Sequence, residues 1–245
     1  MFTTDNSILR ISNENDILKI IEFLRGFSFK NSDDKDAHEI LCLCIYVVAL
    51  FKISRLRLPL TIEKSEAPDF RIFFDGGEKP IGLEHTRATL EQYKMADSEF
   101  KKRPAGSMME PLFYSPFKKV PKKNVNIGIR KPDEQLKGLG SSGNNIEIEW
   151  AETIKNAIIA KTNLLNENHF QRFSMNELLI EDESPTELFK ENVVAFELLT
   201  SVKKEIKPKL AHVTFNRVHV FTVNDFVYDF FNENTVIDMS KKNLP

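Results

Sequence analysis

The fold is decided by residues 58–88, LPLTIEKSEAPDFRIFFDGGEKPIGLEHTRA, where short apolar runs alternate with turn signals. Residues 70–74 and 81–86 read as strands, and Asp75-Gly76-Gly77 between them offers the conformational freedom of a tight reversal, so the two should pair antiparallel. The run that begins at Leu60 supplies a strand before them, which makes a β-meander. Alternation of side chains along a strand puts Glu84 and Thr86 on one face and Leu83 and His85 on the other. Asp69, at the start of the preceding strand, can face the same way as Glu84. Two carboxylates, 84 − 69 = 15 residues apart in the chain, then converge beside a sheet. Such a pair repels itself unless a cation lies between, and oxygen-only donors select a hard ion, Mg²⁺ or Mn²⁺. That ion would orient a water and neutralise a phosphodiester in its transition state.

Working outward, Ile17, Ile20, Ile21 and Leu24 recur at helical spacing before Gly26, and residues 34–53 form a second, longer helical segment; both are expected to cover one face of the sheet. The sequence after Arg87, ATLEQYKMADSEFKKR, is helical in character. Five prolines between residues 103 and 145, followed by Gly138, Gly140 and Gly143, exclude a continuous helix there. Residues 146–168 read as a helix, 177–180 as a short buried strand, 186–202 as a helix after Pro185, and 213–223 and 226–231 as late strands or a strand and a short helix. Trp150 and the apolar positions Ile154, Ala157 and Ile158 are expected to pack against the sheet. The organisation expected is one mixed α/β domain in four stretches: 1–57, N-terminal helices on the core; 58–103, the motif-bearing strands and helix; 104–145, a basic Pro/Gly-rich loop; and 146–245, the second half of the core.

The 245 residues carry 34 Lys+Arg against 36 Asp+Glu, a net charge of −2, which excludes a uniformly basic nucleic-acid-coating protein. Locally the balance is different. Residues 101–137 hold ten Lys/Arg and three acids, a net of +7, so the remainder carries −9. Phosphate contacts supply most non-specific affinity, and Lys101, Lys102, Arg103, Lys118, Lys119, Lys122 and Lys123 make this segment the expected nucleic-acid clamp, with Phe113, Tyr114 and Phe117 placed to stack on bases or to anchor the loop. The longest apolar run, residues 40–51, has twelve residues where a spanning helix needs roughly 20, so no membrane passage is expected. The N-terminus lacks the pattern of a secretory leader, which points to the cytoplasm. Cys42 and Cys44 lie inside the apolar run, about 200° apart around a helix, and read as core thiols. A Cys-x-Cys metal half-site lacks the second Cys pair or His cluster that would complete it. His169, His212 and His219 are isolated in sequence and read as structural. There is no Gly-rich phosphate loop and no Gly-x-Ser-x-Gly elbow.

Pro68-Asp69, then Glu84-His85-Thr86 on the next strand, then a helix, resembles the PD-(D/E)XK nuclease superfamily over roughly residues 34–103. The resemblance implies a restriction-endonuclease-like fold, a mixed central sheet flanked by helices, and metal-dependent hydrolysis of DNA, with RNA as a further substrate to test. It implies Asp69 and Glu84 as metal ligands, the main-chain carbonyl of His85 as a third, and Glu39 on the preceding helix as an auxiliary carboxylate. The later strand of that core is either 177–180 or 213–221. Thr86 stands where the family has lysine, which leaves no cation in place to orient water; Lys94, or Gln92, on the following helix is the expected substitute, and Arg87 should face away. Double-strand cutters usually need two active sites and therefore two subunits, which leaves a homodimer open. The competing reading is a catalytically inactive member of the same fold that binds nucleic acid or protein.

Overall fold

The computed structural model describes residues 8–26, 35–76, 79–89, 95, 98–109, 129–131, 145–167, 169, 171–182, 203–204, 215–222, 225–230, 232 and 235–240. The chain divides into two compact units, Met1–Arg87 with Ile158–Asp182 and Leu210–Pro245, and Ala88–Ala157 with Glu183–Lys209.

The first unit is built on a mixed eight-stranded sheet. Its strands are β1 Ile8–Ile11, β2 Leu60–Lys64, β3 Phe70–Phe74, β4 Ile81–Ala88, β7 Met175–Asp182, β8 Arg217–Phe221, β9 Asp225–Tyr228 and β10 Thr235–Asp238, in the order β1-β2-β3-β4-β7-β8-β9-β10. β1 to β4 pair antiparallel in sequence, β7 and β8 are parallel, and β8 to β10 return antiparallel. The expected hairpin is present: Phe70 pairs with Leu83 and Ile72 with Ile81, and Gly76 takes φ +113° in the turn, a conformation that favours glycine. β1 departs from the helical reading of the N-terminus. Four residues are too few to show a strand period, and it is pairing with β2 that makes them extended.

Helix α1, Glu14–Gly26, buries the four expected residues Ile17, Ile20, Ile21 and Leu24. Asn13 and Asp16 side chains accept from the amides of Asn15 and Ser12 at 2.9 Å each, closing its first turn. Helix α2, Lys35–Lys52, is buried almost all round. Both helices share one core with Leu60, Ile62, Phe70, Ile72, Leu83 and Leu179. By strand alternation these six lie on a single face of the sheet, as the sequence leads one to expect.

On β7 that same face carries Glu177 and Glu181, both buried, on either side of Leu179. Each glutamate meets a polar residue of one α2 stripe: His38 Nε2 lies 2.6 Å from Glu181, and Tyr46 Oη donates to Glu177 at 2.6 Å. The spacing matches, because eight helical residues rise about 12 Å and four strand residues about 13 Å. α2 therefore runs antiparallel to β7 and gives each buried acid a hydrogen-bond partner, without which it would be costly in the core.

Helix α3, Asn145–Asn166, follows the expected bounds closely, and its residues from Ile158 onward belong to the first unit. The second unit contains the short pair β5 Met108–Met109 and β6 Ile129–Arg130, antiparallel, together with the buried Trp150 and Ile154. The segment expected as a helix over 186–202 lies outside the described residues. No helix among the described residues is long and apolar enough to cross a membrane.

Candidate active site

Carried one residue beyond its last pair, the β3–β4 register sets Asp69 opposite Glu84. Three hydrogen bonds, two to Asp69 and one to the loop before it, hold it there. The Ser65 amide donates to the Asp69 carbonyl at 2.8 Å, the Gln171 amide donates to the Ala67 carbonyl at 3.2 Å, and the His85 amide donates to Asp69 Oδ2 at 2.7 Å. Gly82, on the Glu84 face of β4, makes room for this loop. A Cβ there would lie 2.7 Å from Phe173 Cδ2 and 2.9 Å from Pro68 Cγ, closer than real contacts allow.

A cation from α3 reaches the Glu84 carboxylate. Lys161, on α3, donates from Nζ to Glu84 Oε1 at 2.5 Å. Glu84 is buried, whereas the Lys161 side chain keeps 23% exposure. The other oxygen, Glu84 Oε2, is buried without a hydrogen-bond partner among the described residues. Lys161 escaped the sequence reading, although a signal exists: it falls within the helical stripe Ile154, Ile158, Thr162, Leu165, where solvated residues are not expected. Gln92 and Lys94, the substitutes expected from sequence, lie outside the described residues.

The electrostatics of the pair are those of crowded acids. Burial, followed by the Asp69 carboxylate, pushes Glu84 up to about 7, and Lys161 opposes both. Burial also raises Asp69; the His85 amide opposes it, and the Glu39 carboxylate adds to the rise. Glu39 is thus near the pair, buried at the start of α2, and held by Lys64 and Lys35 at 3.3 Å each. Lys64 also pairs with Asp36. Among the described residues, Glu39, Asp69 and Glu84 do not all come within 4.8 Å of one another; His38, Cys42 and Glu181 do.

The opposite face of β4 carries this second group. His85 and Arg87 point there, as alternation requires: His85 Nε2 and Arg87 Nε are each 3.5 Å from Glu181 Oε2. Burial alone would raise Glu181, but the imidazoles of His38 and His85 outweigh it and hold the carboxyl at about 2. Cys42 Sγ is 3.7 Å from Glu181 Oε2, and burial pushes its thiol up, Glu181 adding to the effect. Sequence spacing missed this convergence because its members come from α2, β4 and β7.

His219, isolated in sequence, is fully buried in the structure. Its Nδ1 accepts from the Asp229 amide at 3.3 Å, which leaves Nε2, 3.1 Å from Glu177, as the protonated nitrogen. Arg217 adds a 2.9 Å contact to Glu177. His169 is exposed beside Glu167, and His212 lies outside the described residues. Of the expected nucleic-acid contacts, Lys101, Lys102 and Arg103 are exposed in the second unit, and Lys102 pairs with Glu99 at 2.7 Å. Lys118, Lys119, Lys122 and Lys123 lie outside the described residues. Of the two strands that could have followed the motif, β7 is the one next to β4. Searches of protein-family models, curated proteins and solved structures find no match to this chain.

Proposed function

We propose that the chain is a metal-dependent nuclease of the PD-(D/E)XK kind, with a restriction-endonuclease-like core, in which Lys161 takes the role of the missing motif lysine. The observation that carries this reading is the 2.5 Å contact of Lys161 Nζ with Glu84 beside Asp69. An acid pair across adjacent strands, with a lysine reaching it from a helix, has the components that phosphodiester hydrolysis requires. The donor set fits a hard divalent ion, because Glu84 Oε2 is a buried acceptor that meets no hydrogen-bond donor among the described residues. When bound, Mg²⁺ or Mn²⁺ would supply Lewis-acid stabilisation of the phosphoryl oxygens.

The chain's own groups do the rest. Asp69 and Glu84 would hold the cation, and the His85 amide, donating to Asp69 Oδ2 at 2.7 Å, fixes the Asp69 carboxylate in place. Lys161 holds the attacking water by a hydrogen bond and offsets the negative charge that builds on the phosphorane. The water oxygen forms a bond to phosphorus, the bond to the leaving oxygen breaks, and the water's proton passes to solvent while the leaving oxygen takes one up. The exposed Lys101, Lys102 and Arg103 would bind DNA phosphates.

The test is cleavage of supercoiled, linear duplex and single-stranded DNA and of RNA by the full chain with Mg²⁺ or Mn²⁺. Cleavage should vanish in Asp69→Asn and in Glu84→Gln while their circular dichroism stays that of the wild type. Cleavage that survives both substitutions overturns the assignment. Salt-dependent binding without cleavage by the wild type would instead make the protein a non-catalytic binding module of this fold.

A further inference from the structure

We propose that His38, Cys42, Glu181 and His85 form a four-coordinate zinc site that pins helix α2 to strands β4 and β7. It lies on the face of the sheet opposite the Asp69–Glu84 pair and does not depend on the nuclease reading.

The first support is convergence. His38 and Cys42 stand four residues apart on α2, the spacing that puts two side chains on one helical face. Glu181 comes to them from β7, and ligand atoms of all three lie within 4.8 Å of one another. The second support is an independent one. The His85 side chain is only 5% exposed, and its Nε2, 3.5 Å from Glu181 Oε2, is buried without a hydrogen-bond partner among the described residues. A buried imidazole nitrogen left unsatisfied and aimed at a carboxylate needs something to meet it.

The donor chemistry selects the ion. Two imidazoles, a thiol sulfur and a carboxylate oxygen make a mixed, borderline-soft set suited to Zn²⁺ and poorly suited to Mg²⁺ or Ca²⁺. Bonds of about 2.0–2.3 Å place neighbouring ligand atoms of a tetrahedral site about 3.3–3.7 Å apart. The Cys42–Glu181 separation of 3.7 Å and the His85–Glu181 separation of 3.5 Å already have that size. The 2.6 Å contact between His38 and Glu181 is a hydrogen bond and must open by about 0.7 Å on the same reckoning. The His38 and His85 rings, 6.5 Å apart between centroids, must draw closer. Cys42 gives up its thiol proton on binding, so one dication faces one thiolate and one carboxylate with both imidazoles neutral. Arg87, 3.5 Å from Glu181 Oε2, is then left to orient that carboxylate from outside the ligand set.

The test uses the full chain, expressed with added zinc and purified without a metal-affinity tag. Elemental analysis should find one equivalent of zinc per chain. Replacement by Co²⁺ should give the visible bands of four-coordinate cobalt together with a near-ultraviolet thiolate charge-transfer band. Cys42→Ser should abolish the charge-transfer band. Cys44→Ser, which alters the neighbouring core thiol off the stripe, should keep it. His85→Ala should weaken Co²⁺ binding by at least roughly tenfold, the loss expected when a supporting group is removed from a metal site. Wild-type protein that takes up no zinc, or whose cobalt form lacks a thiolate band, overturns the site whether or not the variants fold. A thiolate band of equal strength in folded Cys42→Ser does the same, and unchanged Co²⁺ affinity in folded His85→Ala removes the fourth ligand.

Discussion

Lys161 Nζ reaches Glu84 Oε1 across 2.5 Å, although 77 residues separate the two in the chain. Glu84 carries one end of a carboxylate pair, and the lysine brings to it the positive charge that Thr86, on the same face of the strand, lacks. On the proposed function, Lys161→Met should reduce metal-dependent cleavage by about 10²–10³-fold, the usual cost of removing one charge-stabilising donor, chiefly in kcat. Lys161→Arg should recover part of the rate. Steady-state kinetics on a DNA substrate check this, and a wild-type kcat for Lys161→Met in a protein that Glu84→Gln inactivates would remove Lys161 from the mechanism.

Gly82 is the position where the Pro68–Asp69 loop closes against β4. Gly82→Ala should destabilise the protein by about 1–3 kcal/mol, as other overpacked sites do, because Pro68 and Phe173 would both have to retreat. Urea unfolding measures the loss. Unchanged stability would mean that the loop adjusts freely, and Asp69 would then owe nothing to this close approach.

Glu177 sits in the core, where burial would raise its pKa, yet His219, Tyr46 and Arg217 together hold it below its ordinary value of 4.5. An acid depressed in this way stabilises the fold fully above its unfolded pKa, and the contribution is lost as the pH falls below about 4.5 towards the folded value. Tyr46→Phe removes one donor to this carboxylate and should cost about 1.5–3 kcal/mol near neutrality, with a smaller deficit in acid. Denaturant midpoints across the acid range are the measurement, and a deficit that does not change with pH would show that the phenol contributes through packing alone.

Lys101, Lys102 and Arg103 are consecutive exposed cations. If DNA is the partner, replacing all three with alanine should weaken binding and reduce the slope of log affinity against log salt by roughly 2–3, near 0.9 for each phosphate that the variant no longer neutralises. Fluorescence anisotropy over a range of ionic strength gives that slope. An unchanged slope would place the phosphate-binding cations elsewhere.

Leu179 packs between the two buried glutamates of β7 and belongs to the main core. Leu179→Ala should cost about 2–5 kcal/mol, the range for a buried leucine whose neighbours cannot collapse into the space. Thermal or chemical unfolding tests it. A loss well under this range would mean that α2 settles onto the sheet.

The features legible in the sequence are those set by near neighbours in the chain. The β3–β4 hairpin followed from two apolar runs around Asp-Gly-Gly, and the facing of Asp69 and Glu84 followed from strand alternation alone. Arg87 was correctly turned to the other face by the same rule. α1 and α3 were legible from 3.6-residue periodicity, whereas β1 and β10, four residues each, were too short to announce themselves.

Tertiary structure decided the partners. Periodicity says which way a side chain points, but what it meets depends on sheet order and on which helix covers which face, and no local pattern encodes either. Once β7 lies beside β4, Glu181 stands within reach of His85, and the α2 stripe of His38, Cys42 and Tyr46 meets Glu181 and Glu177 at matched spacing. His38 and Cys42, paired on one helical face, gain His85 and Glu181 as neighbours for that reason. The sequence by itself determined two acids on one edge of a hairpin; the fold alone brought Lys161 to them, because helical spacing turns Lys161 inward but only packing across 77 residues selects the acid it meets.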